Sequence, residues 1–273
     1  MATDNSSYFS NAYPGHTTLF DGNIYQKTAK PKYQLGFLVT RADGARYRYA
    51  QYGAATNRGV LVSQDISETG QVDTDNGMVA PASAVTTTDG TIGSYFIEIT
   101  KDGIIANQYA GGYLTTNDDV GEGYTYRIKG NTASGNPTGT NFRLELYEPL
   151  QVAVDATTDY SVIGLPWNNI EIATRTTDSI LSGVSCNTST AALPFGFVQT
   201  CGIVTVLQDI HVPAIGDPVC LSSLISGAVQ KYFGTGSVGE TDAPVEGNNY
   251  VIGFCVDPGD STGHTPIFLN LPW

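Results

Sequence analysis

Three histidines are the residues of this chain best suited to acid–base or metal chemistry. His16, His211 and His264 stand far apart, and none belongs to an HxxxH or HExxH pattern that would place two imidazoles on one metal ion. The chain has no Gly-x-Ser-x-Gly nucleophile motif, no phosphate-binding loop and no GxGxxG between a strand and a helix. The sequence therefore predicts a protein that is not an enzyme, with no catalytic residue and no cofactor.

Two oxygen-rich segments resemble cation-binding loops in composition only. Residues Asp73 to Gly77 read Asp-Thr-Asp-Asn-Gly, and oxygen ligands on alternate residues before a glycine suit a hard cation. The further carboxylates that a calcium loop needs do not follow. Residues Asp257 to His264 also group oxygen atoms and a histidine, but Pro258 and Gly259 favour a hairpin turn. The sequence therefore predicts two turns and no metal site.

The four cysteines, Cys186, Cys201, Cys220 and Cys255, lie in the C-terminal third, mostly inside or beside apolar runs of strand length. They lack the Cys-x-x-Cys spacing of a structural zinc site. The first residues carry neither the basic nor the apolar region of a secretory signal, so we expect buried, reduced thiols. No apolar run approaches the ~18 residues of a membrane span, so we expect no membrane partner.

The charge of the chain is acidic overall and unevenly distributed. The formal net charge is -13 at pH 7, which argues against nucleic acid as a partner because phosphate contacts need a basic surface. From Gly59 to Tyr126 there are ten acids and one base, whereas from Lys27 to Arg58 there are seven bases and one acid. The basic stretch is either an ordinary solvated surface or an end that docks on an acidic partner. The candidate docking residues are Lys27, Lys30, Lys32, Arg41, Arg46, Arg48 and Arg58.

These residues must be positioned by β-strands, because apolar runs of strand length recur between Gly, Pro, Asp and Asn. The segment Gly111 to Asn131 predicts a β-hairpin, with Tyr126 and Ile128 on the same face of its second arm. Asp102-Gly103 predicts a tight turn into a further strand at Ile104-Ile105. No segment of a dozen residues keeps helical spacing.

In two other segments the side chain types alternate clearly between the two faces of a strand. In Phe142 to Glu148 the residues Phe142, Leu144 and Leu146 face inwards, and in Arg46 to Tyr49 the two arginines share one face and the two tyrosines the other. The fold class predicted is all-β, with β-sandwich or barrel units and an extended N-terminal arm. The predicted divisions are an arm over residues 1–35, an N-terminal β domain over 36–165 and a C-terminal β domain over 166–273.

Four stretches together carry a family resemblance. They are YAGGYLTTNDDVGEGYTYRIKGN (residues 109–131), FRLELYEPLQVAVDATTDYSVI from Phe142, FGFVQTCGIVTVL from Phe195, and the ending VIGFCVD…TPIFLNLPW. In their pattern of strands and turns they resemble structural head proteins of tailed bacteriophages, of the decoration or cement type. The similarity covers most of residues 45–273, leaves the arm outside, and contains no chemical motif from which functional positions could be transferred.

The resemblance implies a non-enzymatic protein that is made in the host cytoplasm and binds the outer surface of an icosahedral head. There it would stabilise contacts between capsomers. The implied partners are the major capsid protein and further copies of the chain in a homotrimer, without nucleic acid, membrane or cofactor. Two alternatives stay open: a tail or head fibre protein of the same virion, and a carbohydrate-binding β module that uses exposed Tyr and Trp side chains.

Overall fold

The protein is built from β-strands, as its computed structural model shows. The structure describes residues 22–64, 71–72, 90–100, 103–135, 141–155, 158–174, 180–232, 250–259 and 263–272. Within these residues there are sixteen strands and no helix. The predicted all-β class is therefore confirmed. In chain order the strands are β1 Leu38–Thr40, β2 Arg46–Gln51, β3 Leu61–Gln64, β4 Gln71–Val72, β5 Phe96–Thr100, β6 Tyr113–Asp118, β7 Thr125–Asn131, β8 Asn141–Leu146, β9 Asp159–Ile163, β10 Ile170–Ile172, β11 Leu181–Ser185, β12 Phe195–Leu207, β13 Pro218–Leu221, β14 Val229–Lys231, β15 Gly253–Cys255 and β16 His264–Asn270.

The chain divides into two compact units. Residues 1–65 and 166–273 together form one, which we call the discontinuous unit, and residues 66–165 form the other, the inserted unit. The division at 165/166 agrees with the prediction, but the predicted domain 36–165 does not exist as a unit. Residues 36–65 belong with the C-terminal part because β2 pairs with β12, and β3 pairs with β10 and β11.

The discontinuous unit contains a ten-stranded antiparallel sheet. Eight strands follow the order β10-β3-β11-β12-β16-β15-β13-β14, β2 also pairs with β12, and β1 pairs with β2. The long strand β12 holds it together, because its first half pairs with β2 and its second half with β16. Gly202 lies between these halves with a φ of 94°, and a Cβ there would stand 3.0 Å from the Cα of Ala45. This crossing therefore requires glycine.

Two hydrophobic cores stabilise this unit. Leu61, Val206, Val219, Ile267 and Leu269 are fully buried members of the core under the ten-stranded sheet. The second core lies around β2 and is rich in aromatic side chains: it contains Ile24, Val39, Ala45, Tyr47, Tyr49, Cys186 and Phe197. Both cores combine residues from before and after the inserted unit, so neither can form from one chain segment alone.

The predicted arm of residues 1–35 is only partly described, since residues 1–21 lie outside the described residues. Residues 22–35 do not form an extended arm but pack on the discontinuous unit. Ile24 is buried, Thr28 forms a β-bridge with Phe195, and the ring of Tyr33 stacks on Phe37 with centroids 4.9 Å apart. Among the described aromatic side chains of the predicted arm, Tyr33 packs on its own unit and Tyr25 is exposed.

The inserted unit contains a six-stranded sheet in the order β4-β9-β6-β7-β8-β5. The predicted hairpin is confirmed: β6 and β7 pair with Leu114 opposite Tyr126, and both side chains are buried. The predicted alternation of β8 is confirmed as well, because Phe142, Leu144 and Leu146 are all buried. They belong to a core whose members all lie between Ile97 and Val162.

The predicted strand at Ile104-Ile105 is wrong. Ile104 is buried and Ile105 is exposed in an irregular segment. Ser134 holds this segment, because its hydroxyl accepts the Ile104 N–H at 3.0 Å and its own N–H donates to the Ile104 carbonyl at 2.8 Å. The partner of β5 is instead β8, more than 40 residues along the chain.

Candidate functional site

The histidines and acidic residues of the described part of the chain do not form a metal-binding group. His16 and the segment Asp73 to Gly77 lie outside the described residues. His264 is an exposed residue at the start of β16. No group of three or more His, Cys, Asp or Glu residues that could hold a metal ion occurs among the described residues. No helix in these residues is long and apolar enough to cross a membrane.

One polar cluster was missed by the sequence analysis. Asp209 is fully buried after β12, and Ser222 is buried after β13. The Ser222 hydroxyl donates to Asp209 Oδ2 at 2.6 Å, and Asp209 Oδ1 accepts the backbone N–H of His211 at 2.7 Å. The His211 ring nitrogen Nδ1 is 3.5 Å from the same Oδ1. No spacing rule connects these residues, because the strand pairing of β12 to β14 brings them together.

This cluster stabilises a turn and does not provide a nucleophile. Besides donating to Asp209, the Ser222 hydroxyl accepts the N–H groups of Leu224 and Ile225, each at 3.0 Å. The Ser222 hydroxyl is buried and its oxygen already accepts two backbone N–H groups, so it is not presented to a substrate. The arrangement anchors the segment between β13 and β14 to a buried acceptor.

The four cysteines are described and none is bonded to another. Cys186, Cys220 and Cys255 are buried, and Cys201 is half-buried. Burial raises the pKa of the Cys186 thiol to about 12, because a thiolate would be desolvated there. The predicted arrangement of buried thiols agrees with the structure for three of the four residues.

Two of the seven candidate docking residues, Arg41 and Arg58, lie beside exposed Tyr25, and Lys27 is two residues from Tyr25 in the chain. The Arg58 guanidinium carbon is 5.5 Å from the centroid of the Tyr25 ring, and Arg41 is close enough to Tyr25 to interact electrostatically. Lys27 Nζ donates to the carbonyl of Thr188 at 3.0 Å. Thr188 is two residues after Cys186, and the charge of Arg58 acts on the Cys186 thiol. Lys27, Arg41 and Arg58 are all exposed, and we call them the basic cluster.

Local structure positions this basic cluster. Arg41 follows β1, and its guanidinium donates to the hydroxyl of buried Tyr47 at 3.4 Å, which raises the pKa of Arg41. Asp43, which also interacts electrostatically with Arg41, accepts the Ala45 N–H in the turn between β1 and β2. The aromatic core around β2 therefore fixes the direction of the Arg41 side chain.

Arg46 and Arg48 do not belong to this cluster. They lie on the face of β2 opposite Tyr47 and Tyr49, as the alternation predicted. The Arg48 guanidinium carbon is 4.7 Å from the Trp167 ring centroid, and its Nη1 donates to the Gly36 carbonyl at 2.8 Å. Arg48 is therefore a structural residue that covers Trp167.

Lys30 and Lys32 lie on the exposed segment before β1. Their backbone is held by hydroxyl groups, since Thr28 donates to the Lys30 carbonyl at 2.7 Å and the Lys32 N–H donates to Tyr49 at 3.1 Å. Lys32 Nζ lies 5.7 Å from the centroid of the Tyr33 ring. The seven predicted residues thus divide into the basic cluster, this segment and the opposite face of β2.

The three residues of the basic cluster lack ion pairs, as do exposed Lys30 and Arg127 among the described residues. Lys27, Arg41 and Arg58 form no ion pair with a carboxylate of the described residues. Three other cations are paired: Lys129 with Glu145, Arg143 with Glu98 at 2.7 Å, and Lys231 with Asp217 at 3.0 Å. The basic cluster therefore offers exposed positive charge to another molecule.

The inserted unit carries a different exposed surface. Tyr113 on β6 pairs with Arg127 on β7, and the Arg127 guanidinium carbon is 5.6 Å from the ring centroid of Tyr147. Both tyrosines are exposed. This row of two aromatic rings and one guanidinium resembles the composition of surfaces that bind planar or apolar partners.

Comparison of the chain with protein-family models, with curated proteins and with solved structures finds no match. The strand pairing, the basic cluster and the exposed aromatic row are therefore the observations that bear on its function.

Proposed function

We propose that this protein is a structural protein of a tailed-phage virion and not an enzyme. It acts as a decoration protein that binds the outer surface of the icosahedral head and stabilises contacts between capsomers. The observation that carries the proposal is the basic cluster of Lys27, Arg41 and Arg58, exposed and without an ion pair to a described carboxylate. The all-β architecture and the sequence resemblance support it.

The electrostatic argument concerns how a chain with a net charge of -13 approaches an acidic shell. The net charge opposes association, whereas a local group of cations attracts carboxylates and orients the molecule as it approaches. Tyr25, which lies beside Arg41 and Arg58, adds an amphipathic ring, and both Tyr and Arg are enriched where proteins contact each other. The basic cluster is thus the part of the basic stretch that we assign to docking.

The proposal includes the partners and the location. The docking partner is the major capsid protein of the same phage, and the chain also associates with itself as a homotrimer. Assembly takes place in the host cytoplasm, and the finished protein lies on the outer surface of the virion. Nucleic acid, membrane and cofactor have no part in it.

The test is binding of the purified chain to undecorated capsids, with bound copies counted over a series of NaCl concentrations. Occupancy should fall with salt, because the Debye length shortens from ~10 Å at 0.1 M to ~3 Å at 1 M. The triple variant Lys27→Gln, Arg41→Gln, Arg58→Gln should bind about tenfold more weakly, since three exposed ion pairs contribute about 0.5 kcal/mol each. Arg48 is left intact because it packs on Trp167.

The matched control is Arg127→Gln with Lys129→Gln, which removes two exposed cations from the inserted unit and should leave occupancy unchanged. Arg46→Gln tests the remaining face of β2 and should have no effect. Absence of binding at low salt, or equal occupancy of the wild type and the triple variant, would contradict the proposal.

A carbohydrate-binding module is the second candidate, and the row Tyr113, Arg127 and Tyr147 favours it. Sugars stack on aromatic rings, and a guanidinium between two rings can donate hydrogen bonds to hydroxyl groups. Glycan binding by the isolated chain that is lost in Tyr113→Ala and Tyr147→Ala would identify this function. Co-purification with tails instead of heads would identify a fibre protein.

A further inference from the structure

An uncharged apolar face covers four strands of the ten-stranded sheet. Strand register places Ile203 of β12 opposite Phe268 of β16, Phe268 opposite Phe254 of β15, and Phe254 opposite Pro218 of β13. Directly paired residues project to the same side of a sheet, so these four form one row. Ile203 is 64% exposed, Phe254 50% and Phe268 46%.

A second row lies beside the first. Pro266 pairs with Thr205 of β12, and its carbonyl accepts the N–H of Val256, whose side chain is exposed. Pro266 and Val256 are two residues from Phe268 and Phe254, so they project to the same side. The positions of the two rows carry no charge: they are Ile203, Phe268, Phe254, Pro218, Thr205, Pro266 and Val256. We call these seven residues the apolar face.

The opposite side of the same strands faces the core. Val206, Val219, Ile267 and Leu269 alternate with the residues of the apolar face and are fully buried. A sheet with one face in water normally carries polar residues there. Two phenylalanines, one isoleucine and one valine are exposed at such positions, and a contiguous exposed apolar patch marks an interaction site.

We infer that the apolar face is an interface between copies of this chain. This inference rests on the proposed function, because it assigns a surface to the self-association proposed there. The exposed side chains present about 350 Å² of apolar surface, with about 100 Å² from each half-exposed phenylalanine. One side of a standard interface buries about 800 Å², of which about 60% is apolar. The apolar face therefore supplies most of the apolar area that a stable contact between copies needs.

The absence of charge on the apolar face permits a second copy as the occupant. Two chains of net charge -13 repel each other, and the repulsion is smallest where they meet through uncharged surface. The nearest acids in the sequence are Asp217, which is paired with Lys231, and Asp257 beyond Val256. Interface cores are depleted in charged residues and enriched in phenylalanine, as this face is. A closed homo-oligomer buries the same face of every copy.

The test uses the full chain and measures its mass by sedimentation velocity from about 1 µM to about 100 µM, a range that detects micromolar dissociation constants. The wild type should sediment as an oligomer whose mass does not fall between 0.1 and 1 M NaCl, because an apolar contact is not screened. The variant Ile203→Thr, Phe254→Thr, Phe268→Thr should dissociate at least ~100-fold more readily. Threonine keeps a strong preference for strands, and all three sites are exposed.

The matched control is Tyr113→Thr with Tyr147→Thr, which removes two exposed aromatic rings from the inserted unit and should leave the mass unchanged. If far-UV circular dichroism shows that the triple variant is unfolded, the variant Thr205→Lys tests the inference instead. It keeps every apolar side chain and adds a charge at an exposed position of the face, so it should also dissociate the oligomer.

A wild type that is monomeric over the whole range overturns the inference, as does a folded triple variant or Thr205→Lys variant that keeps the wild-type mass. A folded variant that keeps the wild-type mass but no longer binds capsids would show that the apolar face contacts the shell. Capsid binding of the wild type is measured separately. Binding without self-association overturns only this inference, and self-association without binding overturns only the decoration role.

Discussion

At the scale of single residues, buried hydroxyl groups show where the core is not fully satisfied. Tyr109 and Tyr160 are buried in the core of the inserted unit, and neither hydroxyl has a hydrogen-bond partner among the described residues. Burial raises the pKa of both side chains because a phenolate would be desolvated. Tyr52 in the discontinuous unit is also buried, but its hydroxyl donates to the Phe197 carbonyl and lies 2.9 Å from Ser185 Oγ.

We therefore expect opposite effects from the same substitution. Tyr109→Phe and Tyr160→Phe should each raise the free energy of unfolding by about 1 kcal/mol, since each removes an unpaired buried hydroxyl. Tyr52→Phe should lower it by about 1 kcal/mol, because Ser185 and the Phe197 carbonyl lose a partner. Urea unfolding of the three variants measures the differences. A loss in Tyr109→Phe or Tyr160→Phe as large as that in Tyr52→Phe would show that those hydroxyls are paired.

Residue types and spacing predicted which side chains share a face, but not what lies against them. The alternation of Arg46 to Tyr49 correctly placed the tyrosines inside. It could not reveal that Trp167, more than 100 residues away, lies under Arg48, because that contact depends on the fold of both chain segments. The basic stretch was therefore predicted as one docking end, whereas only Arg41 and Arg58 lie beside Tyr25 and Arg48 packs on Trp167.

At the scale of elements, a carboxylate joins the end of the sheet to the connection before it. Asp217 immediately precedes β13, accepts the Ala214 N–H at 2.8 Å and pairs with Lys231 at the end of β14 at 3.0 Å. The hydrogen bond from Ala214, followed by that from Lys231, holds the pKa of Asp217 below its usual value. The carboxylate thus fixes one end of the antiparallel β13–β14 pair, where β13 begins and β14 ends.

This contact predicts a dependence of stability on pH. A depressed folded-state pKa contributes stability that is complete above the unfolded value of about 3.9 and is lost as the pH falls through the folded pKa. The Tm of Asp217→Asn should therefore lie below that of the wild type at pH 7, and the difference should shrink below about pH 4. The control Glu122→Gln alters an exposed acid of the inserted unit. An equal Tm difference for Asp217→Asn at pH 7 and pH 3 would contradict the expectation.

Local pairing was predicted well and distant pairing was not. The hairpin of β6 and β7 follows from turn residues and alternation over about 20 residues. The prediction of a strand at Ile104-Ile105 was wrong because the Asp-Gly pair specifies a turn but does not specify which strand the following segment pairs with. Side chains from Ser134 and its neighbours, far along the chain, determine what that segment does. Periodicity gives the faces of a strand, while the sheet order requires the whole chain.

At the scale of the whole molecule, the inserted unit interrupts a pair of neighbouring strands. Gln64 at the end of β3 pairs with Ile170 at the start of β10, so the chain leaves and re-enters the discontinuous unit at adjacent positions. The predicted boundary between residues 165 and 166 coincides with the re-entry. The exit near Asp65 was not predicted, because the acidic segment that follows β3 looks like any surface connection.

The separate cores predict that the two units fold independently. The core of the inserted unit uses residues Ile97 to Val162 only, and those of the discontinuous unit use residues before Ser63 and after Asn169. Paired Cα atoms lie about 5 Å apart, so a flexible linker of about six residues can replace residues 66–165. The shortened chain and residues 66–165 alone should each unfold in one cooperative transition in calorimetry, and the shortened chain should keep both capsid binding and self-association. It contains the basic cluster and the apolar face.

Failure of either piece to fold would show that the cores depend on each other. A folded shortened chain that no longer binds capsids would place the docking surface in the inserted unit.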